Sequence, residues 1–167
     1  MTLGWRSLSL PRHIMYTKQA ISKQKQAFWT AFGRYMKPVL SWDGEPVNWL
    51  NYKTGNKHIS FGMDVDSRRA IISVVIDPPT HDIRQAYFDR FMQLKGIWED
   101  TMGEEDWIWQ PNATDEHGKA ISTIYKELTG VNIFQNEDWP AIISFLKPRI
   151  MALDAFWSVV RHQFSNL

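Results

Sequence analysis

Side chains able to bind a metal or move a proton crowd one short stretch, Thr114-Asp115-Glu116-His117-Gly118-Lys119. Two carboxylates, an imidazole and an amine could hold a divalent ion or perform acid–base chemistry. The stretch also lies between two strand candidates, and Gly118 suits the positive φ of a tight turn. Adjacent side chains on such a turn diverge, so a hairpin loop is the preferred reading. A second carboxylate set is Asp64, Asp66 and Asp77, with Glu127 farther along the chain. Metal-dependent nucleases place an Asp on one strand and Glu/Asp-x-Lys on the next. The strand after Asp64 runs Ala70-Ile71-Ile72-Ser73-Val74-Val75-Ile76 and holds no such triplet. Asp66 and Asp77 flank turns, where aspartate is common for backbone reasons. A metal-dependent hydrolase would need Asp64, Asp77, Glu116 and His117 to converge on one ion, at about 2.0–2.6 Å from it.

Binding chemistry has its own candidate in Trp49-Leu50-Asn51-Tyr52-Lys53-Thr54-Gly55-Asn56-Lys57-His58, where aromatic and basic groups interleave. Such a run can stack bases while its lysines meet phosphates. Trp49, Tyr52, Lys53, Lys57 and His58 are the candidate contacts, with Lys119 and Arg149 as further anion contacts. The same run also reads as a core-lining segment whose lysines decorate a turn, and a net charge of only +1 favours that version. Neither Gly-rich phosphate motif occurs, nor a Gly-x-Ser-x-Gly elbow. His13, His58, His81, His117 and His162 show no His-Glu-x-x-His spacing. The inventory implies no cofactor and assigns no metal, and it leans away from an enzyme.

Composition frames these sites. The 167 residues fit one domain with a sizeable core, 44% apolar and 22% charged. Aromatics reach 14%, nine of them tryptophan, so a few large side chains can organise the core. The absence of cysteine removes disulfides, thiolate–zinc sites and thiol catalysis, and agrees with a cytoplasmic location. No apolar run approaches the roughly 20 residues that span a bilayer. Residues 1–14 lack the apolar core of a signal peptide and are expected to form a flexible tail, with 15–167 as a single domain.

The elements that must position the candidates follow from periodicity. Ile21, Phe28, Trp29, Phe32 and Tyr35 share a helical stripe over Thr17–Met36, capped by Thr17 and ended before Pro38. His58–Val65 and Arg69–Asp77 predict a hairpin across Asp66-Ser67-Arg68, and the second strand, apolar on both faces, should be central. Ile83, Tyr87, Phe91, Leu94, Trp98 and Met102 predict one helix over Asp82–Met102, with Asp82 and Gln85 at capping-box spacing. Strands are expected at Asp106–Gln110 and Ala120–Glu127, and Val131–Phe134 offers a further short one. A last helix starts near Trp139-Pro140 and contains Pro148, which should kink or split it. Trp29, Trp98, Trp139 and Trp157 fall on helical stripes. Trp107 and Trp109 share a strand face, expected to lie beneath a helix. The order α-β-β-α-β-β-α predicts an α+β domain, with an antiparallel sheet of four or five strands covered by helices.

Several blocks of this sequence carry a resemblance. They are Phe28-Trp29-x-x-Phe32-Gly33-x-Tyr35-Met36-x-Pro38, Asn48-Trp49-Leu50-Asn51-Tyr52-Lys53-Thr54-Gly55, Thr114–Lys119, Ile124–Leu128, Glu137-Asp138-Trp139-Pro140 and Lys147-Pro148-Arg149-Ile150-x-x-Leu153-Asp154-x-Phe156-Trp157. Together, over about Met15–Phe164, they resemble the bacterial domain of unknown function 4268. The resemblance implies a domain found alone or joined to nuclease-like domains, and it supplies no catalytic residue. The expected function is a non-enzymatic binding domain, with nucleic acid or a nuclease-like protein as partner and no membrane. A metal-dependent hydrolase and a homodimeric structural module are the alternatives.

Overall fold

The computed structural model describes residues 17–103 and 106–167, so the expected tail over residues 1–14 lies outside the described residues. Helix α1 spans Lys18–Met36, and Thr17 caps it by accepting from the Ala20 amide at 3.1 Å. Only its second half meets the core, through Phe28, Phe32 and Met36. Ile21 and Tyr35, expected on the buried stripe, are exposed. Strands β1 (Ile59–Val65) and β2 (Arg69–Ile76) form the predicted hairpin. Asp66 builds its turn, its Oδ1 accepting from the amides of Arg68 at 2.8 Å and Arg69 at 3.0 Å.

The single helix expected next is two helices, α2 (His81–Gln93) and α3 (Lys95–Met102), divided at Leu94. The Leu94 amide donates to both Arg90 and Phe91 carbonyls at 3.1 Å, and Gly96 just beyond is a poor helix former. The break lets Phe91 and Trp98 pack on the same ring, Phe156. Helix α2 starts one residue before Asp82, so Asp82 and Gln85 make no capping box. Its buried Arg84 instead donates to the Pro78 carbonyl at 3.1 Å.

Strands β3 (Ile108–Thr114) and β4 (Ala120–Thr129) are longer than expected. Strand β3 continues through Pro111 because the register shifts between Gln110 and Ala113, a bulge that tolerates the missing amide. The four strands pair antiparallel in the order β1-β2-β4-β3, which puts β2 in the interior as its sequence requires. Residues 131–134 add no strand; Val131 and Ile133 are buried there, and the Ile133 amide donates to Asp66.

Helix α4 (Trp139–Val160) runs through Pro148 without splitting. Pro148 leaves the Ser144 carbonyl without its usual amide, and Arg149 supplies Nη1 to the next carbonyl, Phe145, at 2.8 Å. Ile142, Leu146, Ile150, Leu153, Phe156 and Trp157 of α4 are buried beside Phe28 and Phe32 and over Ile72, Val74 and Ile76 of the sheet. Trp98 sits edge-on to Trp107, Trp109 and Phe156 at 5.1–5.2 Å, so both strand-side tryptophans do lie under a helix. The molecule is α+β, with Asp64, Ile71, Ser73, Val75 and Tyr125 on the sheet face turned away from that core by strand alternation.

Candidate functional site

The candidate acids and bases divide between the two ends of the sheet. Asp64 pairs with Ile71 beside the β1–β2 turn, whereas Asp77 bonds to His58 at the open end of the hairpin. Six residues of strand separate these levels, about 20 Å at roughly 3.3 Å per residue. One metal ion cannot bridge them. Glu116 and His117 stand on the β3–β4 turn, exposed and 3.5 Å from each other. Asp115 shapes that turn: its Oδ1 accepts from the amides of Lys119 at 2.9 Å and His117 at 2.8 Å. These bonds, the Lys119 one foremost, hold its carboxyl below the usual range. Asp64, Asp77, Glu116 and His117 therefore do not form a common site, and no group of three metal-binding side chains occurs among the described residues.

At the open end three of the named residues do meet. Asp77 lies 3.7 Å from His58 Nδ1 and 3.8 Å from Lys119 Nζ. The His58 ring stands edge-on to Tyr87 at 5.7 Å. Lys57 next to it is exposed, as is Lys53. This is a charged rim with one carboxylate inside it.

The aromatic half of the candidate binding run points inward. Trp49 is 3% exposed and donates its indole N–H to the Val39 carbonyl at 2.9 Å. Tyr52 stacks between Trp49 and Phe61. The Thr54 turn behind them is tied to α4 by the Trp157 indole, which donates to the Thr54 carbonyl at 2.6 Å. Trp49 and Tyr52 thus offer no face to a base, because the apolar rings found better burial than solvent allows. Arg149 folds over the Phe145 ring at 4.4 Å and lines a hollow of about 300 Å³ with Thr101, Met102, Pro148 and Ala152.

Asp154 and Ser158, outside every sequence candidate, organise another flank of the molecule. Asp154 on α4 is 5% exposed, yet both of its oxygens are used. Oδ1 accepts from the Tyr52 hydroxyl at 2.5 Å and Oδ2 from the Trp42 amide at 2.6 Å. Burial first, and then the Asp154 carboxylate, push the Tyr52 phenol well above its ordinary value. One helical turn on, Ser158 donates to Asp43 at 2.9 Å. The turn itself closes through Ser41 and Glu45, with Gly44 at φ 81°, a conformation glycine adopts freely. The Trp42 side chain leaves this fixed turn 68% exposed.

The same flank carries cations. Lys147 lies two helical turns before Asp154, with its Nζ over the exposed Tyr35 ring at 4.7 Å. Arg161 follows two turns after Asp154, exposed and close enough to act electrostatically on Tyr52. At about 1.5 Å per residue, the backbone positions of Lys147 and Arg161 lie about 21 Å apart along the helix axis, with the Tyr35 ring at the Lys147 end and the Trp42 amide held midway, at Asp154. No helix among the described residues is long and apolar enough to cross a membrane.

Among known proteins, residues 24–161 match a family model described as a domain of unknown function, DUF4268. No curated protein and no solved structure matches the chain significantly.

Proposed function

The chain belongs to the DUF4268 family, and from that premise we propose that it is a non-enzymatic binding domain whose partner is nucleic acid. The observation that supports this best is the exposed Trp42 ring together with the cations on and beside α4, half-buried Lys147 over the Tyr35 ring and exposed Arg161. Cations meet phosphates and exposed rings meet bases, so both halves of the polymer find a counterpart. The carboxylates weighed for catalysis favour the same reading. Asp66 and Asp115 each hold a turn, and Asp77 is partnered by His58 and Lys119. Any strand cleavage linked to this domain would come from a nuclease-like domain or protein acting beside it.

The test is a titration of fluorescent single-stranded and duplex oligonucleotides at about 50 and 200 mM salt, since phosphate contacts weaken steeply over that range. Binding that fades with salt is expected. A protein that binds neither oligonucleotide at about 50 mM salt refutes the reading. A homodimer is the second reading, supported by Ile71, Val75, Tyr125 and the 41%-exposed Ile108 on the strand positions facing away from the core. A light-scattering mass that stays monomeric as concentration rises would remove it.

A further inference from the structure

Resting on that reading, we propose that the partner is single-stranded, with one base stacked on Trp42 and the backbone running between Lys147 and Arg161. In a duplex the base faces are consumed by neighbouring bases, so an indole standing 68% clear of the protein has nothing to stack on. An unpaired base presents that face, whatever its sequence. Tyr35 is less available, because Lys147 already covers its ring. Trp42 is the ring left open.

The turn is held as a binding anchor needs to be. A buried carboxylate commits one oxygen to the Trp42 amide and the other to Tyr52, and Ser158 fixes Asp43. With the backbone fixed in advance, stacking orders little beyond the Trp42 side chain. The cations sit at suitable reach. The backbone positions of Lys147 and Arg161, about 21 Å apart along the helix axis, span the length of about six stacked nucleotides at roughly 3.4 Å each. Asp43 and Glu45 are both exposed carboxylates on this turn and oppose a phosphate, Asp43 even while it accepts from Ser158. Both limit affinity.

The test uses the whole chain, a labelled thymidylate oligomer of about 12 nucleotides and a duplex of equal length, read by fluorescence anisotropy. Trp42→Ala is expected to weaken the single strand about tenfold and the duplex less than about twofold. Trp42→Phe should restore most of the loss, because a phenyl ring still stacks. Lys147→Gln and Arg161→Gln should each reduce the salt slope for the single strand by about 0.7. Glu45→Gln should tighten it. Because Trp42 is exposed, the alanine variant is expected to keep the wild-type thermal midpoint, which a circular-dichroism melt checks alongside. Single-strand binding that is unchanged in Trp42→Ala overturns the proposal while nucleic-acid binding itself stands. A duplex bound as tightly as the single strand does the same. Binding of neither oligonucleotide overturns both.

Discussion

Replacing Tyr52 by Phe deletes one oxygen, and the fold is expected to lose about 1.5–3 kcal/mol. The lost contact is a 2.5 Å hydrogen bond to Asp154 Oδ1, whose residue is 5% exposed. Bonds to charged groups fall in that range, and the deletion strands a carboxylate oxygen away from water. The Trp42 amide still holds Oδ2, so the carboxylate keeps one partner and the loss should stop short of a fully orphaned charge. Urea unfolding followed by circular dichroism measures it. With a slope near 2 kcal/mol per molar urea, the midpoint should fall by about 1 M at unchanged slope. The alkaline limb gives an independent check. Burial and Asp154 raise the Tyr52 phenol, so the folded state favours the neutral hydroxyl. That stability is complete below the unfolded value of about 10 and is lost as pH rises through the higher folded value. The gap between wild type and Tyr52→Phe should therefore narrow above about pH 10. A loss below about 0.5 kcal/mol, or no narrowing at high pH, would refute the assignment.

Other outcomes follow from the same contacts. Trp98→Ala removes the ring shared by Trp107, Trp109 and Phe156 and should cost about 3–5 kcal/mol by urea unfolding. A cost under about 2 kcal/mol would mean the cage collapses around the gap. The Arg68 amide, ahead of the Arg69 amide, holds the Asp66 carboxyl below its usual range. Its stabilisation is present above the unfolded value of about 3.9 and is lost as pH falls through the lower folded value. Asp66→Asn keeps an acceptor but cannot titrate, so its acid unfolding limb should be shallower below about pH 4, as a pH series of melts would show.

Much of this architecture was legible because its signals are periodic. Ile59, Phe61, Met63 and Val65 alternate along β1, and Thr17 sits where a helix needs a cap. Legibility failed where one residue has two structural uses. Pro111 suggested the end of a strand, yet a bulge carries β3 past it to Thr114. The stripe from Ile83 to Met102 hid the break at Leu94, since both helices keep their apolar side on one core. The site was less readable still. Trp49 and Trp42 are tryptophans in aperiodic sequence, and only the folded chain decides that the first is buried and the second exposed. Asp154 lies within an apolar helix as one polar letter, and its partners are 102 and 112 residues away. No local pattern encodes such a pairing. The charged rim of His58, Asp77 and Lys119 was collected only in part, because its members come from three strand ends.

The strand order β1-β2-β4-β3 has a kinetic consequence. Each hairpin closes within its own neighbourhood, Val65 on Ala70 and Thr114 on Ala120. Such hairpins form in about 1–10 μs. The seam between β2 and β4 instead joins residues 46 to 60 positions apart, from Ile76 with Ser122 to Arg69 with Thr129. Closing that longer loop costs about 2 kcal/mol more in chain entropy than closing a hairpin turn, and α2 and α3 must be placed as it shuts. The barrier to folding is then expected at the seam, where Val74 meets Ile124 and the Thr123 hydroxyl donates to the Val74 carbonyl at 2.9 Å. Truncations there should slow folding, whereas truncations on the outer strands should mainly hasten unfolding.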